Sequence, residues 1–410
     1  MAHKFYYEKA GAEAYVFRLT RLLEAAGHTV IPFAMQHPSN LPSPYAKHFV
    51  SQVEFRGRRN VFTDVGRAAR VIWSTEASAK LEGLLREEKI DVAHLHNIAH
   101  QLSPSIFGPL CRRNIPIVQT LHDYKLLCPV YTFRSKGEVC ERCKAGRYWN
   151  AVVRRCNADS LPLSLTSATE AAVHRGLHSY RHVHVFHCPS LFEMAKMLEH
   201  GVPREKLAFV PHFVDASAYT PSFGGGPYAL FAGRLSEEKG LFTLLEAHRR
   251  TPGLELVIAG DGPLRAALEA RVSAEQRSRL TFAGHLTGSD YDRAWTGAAC
   301  LVLPSEWYEV RPMVIHEACA RGKAVVSTRL GTIPEIVEDG VTGLLVPPAS
   351  PDALGEAMRC LVGDSARSEA MGRAARTMVE TLYKPEAHLA AMLDVYAQAA
   401  LRAGRVKAAA

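Results

Sequence analysis

The sequence predicts an α/β protein made of two doubly wound domains, each with a parallel sheet covered by helices. Three observations lead to this prediction. Short apolar segments of strand length alternate with segments of helical period in both halves of the chain. The 410 residues exceed what a single hydrophobic core comfortably holds. A loop rich in glycine and proline separates the two alternating series.

The first series begins with a helix that follows the segment KAGAE. Apolar residues recur at helical spacing from Tyr15 to Leu23, and Gly27 is placed to end the helix. The segment TVIPFAM then predicts a strand, and later strands are predicted at IDVAHLHN, IPIVQTLHD, HVHVFHCPS and KLAFVPHF. Because parallel strands need cover on both faces, these segments predict one sheet between helices. We assign residues 1–220 to this N-terminal Rossmann-like domain.

The segment YTPSFGGGP has the composition of a linker and predicts the boundary between the domains. Beyond it the alternation restarts, with strands predicted at YALFAGR, LELVIAGDG, LTFAGH, ACLVLPS, KAVVST and TGLLVPP. We assign residues 227–378 to a second Rossmann-like domain, and we expect residues 379–400 to form a C-terminal helix that packs back on the first domain. Two such domains that face each other place the carboxyl ends of both sheets at a central cleft, where open α/β sheets bind ligands.

Composition and charge limit the classes of function. The chain has 47% hydrophobic and 22% charged residues, with no apolar run of membrane-spanning length, so we expect a cytoplasmic globular protein. Residues 1–220 carry 28 Lys+Arg against 19 Asp+Glu, and the remainder carries 21 against 22. The basic first half suits an anionic membrane surface, a phosphorylated acceptor or nucleic acid, or it is an ordinary solvated face.

The segment PSEWYEVRPMVIHEACARG carries two glutamates, Glu309 and Glu317, on either side of a turn that leads from a strand into a helix. Pro312 suits the first turn of that helix, so Glu309 is expected at its entrance and Glu317 within it. Two carboxylates so placed can hold the two sugars of a nucleoside diphosphate sugar, while the helix N-terminus attracts the diphosphate. Separately, Glu309 can be a helix cap and Glu317 a surface residue, although VIHEACA is too apolar for an unpaired carboxylate.

Two further motifs follow strands of the second half. FAGRLSEEKG places Arg234 and Lys239 in the turn after a strand, where they can bind a diphosphate or simply be solvated. In IAGDGPLR, Gly260 and Gly262 allow the backbone to approach a ligand closely, or they form a tight turn without a ligand.

Together these motifs resemble the retaining glycosyltransferases of family 4, which have the GT-B fold. The resemblance rests on the order Gly-Arg-Leu…Glu-Lys-Gly, Ala-Gly-Asp-Gly-Pro-Leu, Pro-Ser…Glu-x7-Glu-Ala and GTIPEIVEDGVTGLLVPP. It extends to the first half through KAGAE, GHTVIPF, DVAHLHN, TLHDYKLLCP and GVPREKLAFVPHFVD.

The resemblance implies a role for each matching residue. It implies that Glu309 contacts donor-sugar hydroxyls, that Glu317 holds the ribose, and that Arg234 and Lys239 neutralise the diphosphate. It also places His122 near the reacting sugar. The remaining residues that it assigns to the donor site are Gly11, Gly233, Gly260, Asp261, Gly262, Pro263, Leu264 and Val314.

The resemblance implies transfer of a sugar from a UDP- or GDP-linked donor to a hydroxyl of a glycan or lipid-linked acceptor, with retention of configuration. It implies no catalytic metal, and it suggests bacterial cell-surface polysaccharide or glycolipid synthesis, with peripheral contact to an anionic membrane and no nucleic-acid partner. For the membrane contact we single out Arg56, Arg58, Arg59, Arg112 and Arg113. The alternatives are a nucleotide-sugar epimerase of the same fold and a catalytically silent nucleotide-sugar-binding protein.

Three features depart from the family pattern. The turn after Glu309 contains Arg311 where small residues are usual, so we expect Arg311 to alter how the donor sugar is held. Ala10 replaces the first glycine of the pair before AE. Only Met1 and Ala2 precede the segment HKFYY, where relatives have a full first strand, so either the start is misassigned or a central strand is shortened.

Four cysteines fall in one insertion at residues 128–156. Cys128, Cys140, Cys143 and Cys156 include a C-x2-C pair, and four thiolates suit a structural zinc ion. Their spacing is not that of a standard zinc finger, so reduced thiols and a redox role remain open.

Most histidines, including those of DVAHLHNIAH, are interpreted as packing or polar cleft residues. His96 and Asn97 are exceptions, because they end a strand on the cleft side of such a fold and can contact the acceptor.

Overall fold

The computed structural model describes residues 1–52, 66 and 69–404. The chain divides into two compact units. The first unit contains Met1–Phe133, Glu141–Pro211 and Glu386–Ala410, and the second contains Arg134–Cys140 and His212–Pro385. In the described part of the chain, no helix combines the length and the apolarity that a membrane crossing requires.

The described secondary structure alternates between strands and helices. The strands are β1 (Ala93–Leu95), β2 (Ile117–Thr120), β3 (Arg134–Ser135), β4 (Glu138–Val139), β5 (Val185–Cys188), β6 (Leu207–Phe209), β7 (Tyr228–Ala232), β8 (Glu255–Ala259), β9 (Leu280–Gly284), β10 (Ala298–Leu303), β11 (Ala324–Thr328) and β12 (Gly343–Val346). The helices are α1 (Gly11–Ala25), α2 (Thr75–Glu87), α3 (Phe107–Arg112), α4 (Trp149–Val153), α5 (Leu161–Gly176), α6 (Leu191–Glu199), α7 (Leu241–Arg250), α8 (Arg265–Arg271), α9 (Ala274–Arg277), α10 (Gly288–Thr296), α11 (Met313–Ala320), α12 (Pro351–Gly363), α13 (Ser365–Leu382) and α14 (Pro385–Arg402).

The sheet of the first unit is parallel, in the order β1-β2-β5-β6. It is extended beyond β1 by single bridges, since Ala2 pairs with both Leu95 and Phe33, and Met35 pairs with Val50. Ala2 therefore lies between β1 and Phe33, with hydrogen bonds from Ala2 N to the His94 oxygen (2.8 Å) and from His3 N to the Phe33 oxygen (3.1 Å). The segment TVIPFAM, predicted as a strand, is reduced to these bridges.

The last helix, α14, belongs to the first unit. Three of its side chains make hydrogen bonds within that unit. Tyr396 lies 2.8 Å from the His94 ring, His388 lies 3.0 Å from the Tyr15 hydroxyl, and Arg402 donates to the His184 oxygen at 3.1 Å. The chain thus returns to complete the first unit after the second is finished.

The second unit contains a six-stranded parallel sheet in the order β12-β11-β10-β7-β8-β9. Its central strand β10 is buried at all six positions, which its continuous apolar sequence requires of a strand covered on both faces. The segment proposed as a linker packs on this unit, because Gly225 N donates to Ser365 Oγ (3.0 Å) and Arg373 lies 4.2 Å from the Phe223 ring centroid. The boundary between the units lies earlier, at Pro211.

Candidate functional site

The loops that follow β7 and β8 lie side by side at the carboxyl edge of the second sheet. Gly233 N donates to the Ala259 oxygen at 3.0 Å, and Leu235 N donates to the Asp261 oxygen at 2.9 Å. Gly260 has φ +136°, and a Cβ there would lie 1.9 Å from the Gly233 oxygen. Glycine is therefore required at Gly260 by the contact between the two loops, whatever the ligand.

The predicted donor residues of these loops are mostly exposed. Asp261 accepts a hydrogen bond from Gly262 N (2.7 Å), which fixes the turn. Pro263 is exposed, whereas Leu264 is half-buried and packs on the core. Arg234 is exposed, and its side chain makes no hydrogen bond or ion pair with the residues that the structure describes. The Arg234 guanidinium is therefore available to bind a ligand.

Lys239 and Glu309 form an ion pair beside these loops. The Lys239 ammonium lies 2.7 Å from Glu309 Oε1, and the side chains are 18% and 5% exposed. Ser305 Oγ donates to the same carboxylate oxygen at 2.5 Å. The carboxylate is thus fixed by two donors before any ligand binds.

A close backbone contact holds the two strand ends that carry this pair. Gly240 has φ +67°, and a Cβ there would lie 1.9 Å from the Pro304 oxygen. Glu306 reinforces the contact, because its N–H donates to the Glu238 oxygen at 2.9 Å and its carboxylate accepts from Thr243 Oγ1 at 2.5 Å. These contacts therefore fix the positions of the loops after β7 and β10 relative to each other.

Helix α11 starts immediately after this region. Pro312 precedes it, and no side chain caps its first turn, where Val314 is half-buried. Glu317 lies in the next turn and is half-buried, and its carboxylate accepts a hydrogen bond from Tyr291 Oη at 3.3 Å. The pKa of Tyr291 is raised, chiefly by burial and then by the Glu317 charge, so the phenol remains a donor.

Arg311 occupies a different place from the one expected. Its side chain is buried, its Nε donates to His316 Nε2 at 2.9 Å, and its guanidinium lies 4.8 Å from the Tyr383 ring centroid. Arg311 therefore packs into the core of the second unit, where aromatic stacking accommodates a planar cation.

In the first unit, the structure brings His96 and His122 together. His96 Nδ1 lies 2.9 Å from His122 Nε2. Burial lowers the pKa of both rings, so both are neutral at pH 7. Asn97 is half-buried two residues after β1, and Gly11 is the exposed first residue of α1, whose preceding residue provides no side-chain cap.

These two histidines border a larger buried network that the sequence did not predict. His187 Nε2 donates to the Val210 oxygen (2.7 Å), so its Nδ1 accepts from Thr120 Oγ1 (2.7 Å). Thr120 in turn accepts from His94 Nε2 (2.7 Å), and His94 Nδ1 accepts from Tyr396 Oη (2.8 Å). Each ring is thereby held as one neutral tautomer.

The four cysteines of the insertion are not assembled as a set of metal ligands among the described residues, and the structural zinc ion stays a prediction. All nine cysteines are free of disulfide bonds. Cys140 belongs to the second unit and Cys128, Cys143 and Cys156 to the first. Among the described residues, no group of three or more His, Cys, Asp or Glu is placed to hold a metal ion. Burial raises the pKa of the Cys128 thiol.

Ser305, Tyr291 and the partners of the histidine network were missed from the sequence. Ser305 lies in the quoted PSE segment, and its short distance to Glu309 along the chain could have indicated it. Tyr291 and Tyr396 are far along the chain from Glu317 and His94, and only the fold brings them together.

The architecture and these strand-end loops define a glycosyltransferase of the GT-B class, and comparison with known proteins agrees. Residues 10–218 match the family described as Glycosyltransferase Family 4, and residues 217–378 match Glycosyl transferases group 1. The chain belongs to glycosyltransferase family 4. The resemblance and the fold class predicted from the sequence are confirmed.

Curated relatives share part of their length with this chain. Alpha-D-kanosaminyltransferase of Streptomyces kanamyceticus is 30% identical over 180 residues, which is 43% of this chain and 46% of the relative. D-rhamnosyltransferase WbpZ of Pseudomonas aeruginosa is 30% identical over 221 residues, which is 51% and 57% of the two chains. The chain thus spans about half the length of these relatives.

Solved structures match over nearly the whole chain. Sucrose-phosphate synthase from Thermosynechococcus elongatus has a TM-score of 0.71 at 20% identity, covering 97% of this chain and 95% of that one. HepE of Anabaena in complex with UDP and glucose has a TM-score of 0.62 at 15% identity, covering 97% and 98%. At these identities, the matches establish the fold.

Proposed function

We propose that this protein transfers a sugar from a UDP- or GDP-linked donor to a hydroxyl of a glycan or lipid-linked acceptor, with retention of configuration and without a catalytic metal. The observation that carries the proposal is the Lys239–Glu309 pair at the entrance of the uncapped helix α11. Relatives are named for kanosaminyl and rhamnosyl transfer, and HepE was solved with UDP and glucose.

In the proposed reaction, the acceptor oxygen bonds to the anomeric carbon on the face that the diphosphate leaves. The bond from that carbon to the diphosphate breaks, the electron pair goes to the diphosphate oxygen, and this oxygen takes up the hydroxyl proton. Lys239, Arg234 and the start of α11 supply the positive charge that stabilises the leaving group. Glu309, already fixed by Lys239 and Ser305, orients donor-sugar hydroxyls, and Glu317 holds the ribose.

The first test uses a panel of radiolabelled UDP- and GDP-sugars without acceptor. Slow hydrolysis of one donor, with a released sugar that initially keeps the donor configuration, is expected of a retaining transferase. Interconversion of the sugars would instead indicate an epimerase, and binding without either reaction would indicate a silent binding protein. The rate should not change when a metal chelator is added. Loss of activity in the presence of the chelator would contradict the metal-independent mechanism.

We also propose that the enzyme works at an anionic membrane, as a cytoplasmic protein in cell-surface polysaccharide or glycolipid synthesis. The arginines first chosen for this contact do not support it. Arg56, Arg58 and Arg59 lie outside the described residues. Arg112 and Arg113 both bind Glu82, at 2.8 and 2.6 Å, so their charges are partly compensated.

A better candidate is the exposed apolar side of α4 and α5, here called the insertion surface. It consists of Trp149 (62% exposed), Val153 (71%), Leu161 (50%), Leu163 (40%) and Leu165 (55%). Residues 142–165 carry five Lys and Arg against one Asp. Exposed apolar side chains flanked by cations are typical of a surface that inserts into an anionic leaflet.

The membrane contact is tested by sedimentation with anionic and neutral vesicles. Binding to anionic vesicles should fall between low and physiological salt, because each cation near the leaflet is screened. Replacing both Trp149 and Leu165 by Ser should reduce binding, whereas Trp73→Ser, which changes a tryptophan that is 46% exposed elsewhere, should not. Equal sedimentation with neutral vesicles, or none at low salt, would indicate a soluble acceptor.

A further inference from the structure

The first unit contains a cavity of about 400 Å³, partly open to solvent, that the proposed reaction does not use. This volume lies within the roughly 300–1,000 Å³ of small-molecule sites. Every residue that lines it belongs to the first unit. The donor-site residues of the second unit are not part of its wall.

The cavity runs along the sheet of the first unit, from one edge to the other. Lys125 follows the carboxyl end of β2, whereas Arg181 and Lys206 precede the amino ends of β5 and β6. Because these strands are parallel, their carboxyl and amino ends lie at opposite edges of the sheet. A four-residue strand at ~3.3 Å per residue makes the distance along the sheet about 13 Å.

The middle of the cavity is apolar. Phe186 of β5 and Met197 of α6 line it, and Leu127 lines it after β2. Their side chains are 4%, 1% and 4% exposed. Helix α5 adds two polar residues one turn apart on the facing wall, Glu170 and His174, while the β5 and α6 side is apolar. The body of a ligand in this space would therefore be apolar and elongated.

The end at the amino edge is cationic. Lys206 donates to the carbonyl oxygens of Arg181 and Val183 (2.8 and 3.0 Å), and no carboxylate lies within ion-pair distance of it in the described chain. The guanidinium groups of Arg175 and Arg181 are exposed, and neither forms an ion pair within the described chain. Burial and the nearby Arg402 lower the pKa of Lys206, and the charge of Glu205 only partly opposes them.

At the other edge, charge is already balanced. Glu170 is the carboxylate among the lining residues, and it forms a buried ion pair with Lys125 at 2.7 Å. Nε2 of His200 remains without a hydrogen bond within the described chain, and Nε2 of His174 has none of ordinary geometry there, although the Ile72 backbone interacts with that ring. His174 is 7% exposed, so this polar atom is withdrawn from water and can bind a ligand hydroxyl or acid group.

We propose that this cavity binds an elongated anionic amphiphile, with its apolar body between β5 and α5 and its phosphate or carboxylate group at Arg175, Arg181 and Lys206. Phosphate and carboxylate share the chemistry that arginine recognises, two acceptor oxygens in one plane. The inference stands apart from sugar transfer, because none of these residues belongs to the donor site.

The test is calorimetric titration of the full chain with octyl phosphate, octanol and inorganic phosphate. Octyl phosphate should bind at least about tenfold more tightly than either of the others, because only it fills the apolar body and meets the cations. Equal binding of octanol would show that the charged end is not recognised. Equal binding of inorganic phosphate would show that the cavity is not filled.

Two variants locate the binding. Arg181→Ala should weaken octyl phosphate binding about tenfold, and the matched control Arg86→Ala, which removes a 75% exposed arginine of α2, should leave it unchanged. Ala171→Trp fills the cavity from α5 and should abolish binding while the circular dichroism spectrum is retained. Unchanged binding in Arg181→Ala, or in a folded Ala171→Trp, would overturn the proposal.

Discussion

Lys239 and Glu309 act as one unit, because each fixes the other at the end of a strand. The carboxylate is 5% exposed and needs its partners, since an unpaired buried charge is costly. Replacing either residue therefore also alters the position and the environment of the other side chain. The roles implied by family resemblance, diphosphate neutralisation for one and sugar contact for the other, can be separated only by measuring different steps.

Removing the cation should lower the rate more than it lowers donor affinity. Lys239→Ala is expected to reduce kcat for transfer by about 10²-fold, because a charge partner of the leaving diphosphate is lost. Lys384→Ala removes an exposed lysine of the same unit and serves as the control. Steady-state kinetics with the identified donor provide the measurement. A variant with normal kcat would remove Lys239 from the reaction.

Glu317 should act on nucleotide binding and Glu309 on turnover. Glu317→Ala is expected to weaken binding of the free nucleoside diphosphate, and Tyr291→Phe to weaken it less, because the phenol only orients the carboxylate at 3.3 Å. Glu309→Ala should spare nucleotide binding and reduce turnover of the complete donor. Calorimetry with UDP and GDP measures the first effect. Similar losses in Glu309→Ala and Glu317→Ala would contradict this division.

At the scale of elements, the approach of the β7 and β10 loops depends on a single glycine. Gly240→Ala should destabilise the protein at least twice as much as Gly253→Ala. Both residues have positive φ, which costs about 1–2 kcal/mol for alanine, but only a Cβ at Gly240 meets a backbone oxygen. Thermal melting of the two variants makes the comparison. Equal decreases in Tm would show that the β7 and β10 loops can move apart without a loss of stability.

The elements themselves were largely predictable, because a buried parallel strand needs a continuous apolar run. Segments such as ACLVLPS and KAVVST became β10 and β11, and Pro312 precedes α11 as expected. The structure of TVIPFAM was less predictable, because its pairing with the sheet depends on a single bridge to Ala2. The β3–β4 hairpin was missed, since both strands are two residues long and carry no periodic pattern.

Candidate site residues could be proposed from the sequence where they belong to local motifs. Arg234, Lys239 and Glu309 follow strand ends, and Glu317 lies in the helix after β10. The histidine network could not be proposed in this way, since His94 and Tyr396 are separated by 302 positions and share no local motif. The packing of Arg311 could not be predicted for a related reason, because the Tyr383 ring that it contacts is far along the chain.

At the scale of the whole molecule, the buried histidines should make the first unit sensitive to acid. Burial lowers the pKa of His3 and His388 to about 3 and that of His187 to about 4, against about 6.5 in an unfolded chain. Between these values the unfolded state binds protons that the native state does not. Stability should therefore fall as pH decreases below 6.5, by up to ~1.4 kcal/mol per pH unit for each such histidine.

Amide hydrogen exchange of β2 and β5 at pH 7.5 and pH 5 measures this loss within the first unit, after correction for the intrinsic exchange rate. His388→Gln should flatten the pH dependence, because one of the contributing rings is removed. His28→Gln, which changes an exposed histidine, should leave it unchanged. Protection that does not depend on pH would contradict the expectation.

The return of α14 to the first unit has a consequence for the protein during its synthesis. Residues 1–211 leave the ribosome long before His388 and Tyr396 are translated. Tyr15 and His94 therefore lack these two hydrogen-bond partners during most of the synthesis. The main segment of the second unit, from His212 to Pro385, can fold in the meantime. Until α14 is made, these polar groups of the nascent first unit bind water and cannot be buried without cost, so a premature stop before α14 should leave a chain that chaperones and proteases recognise.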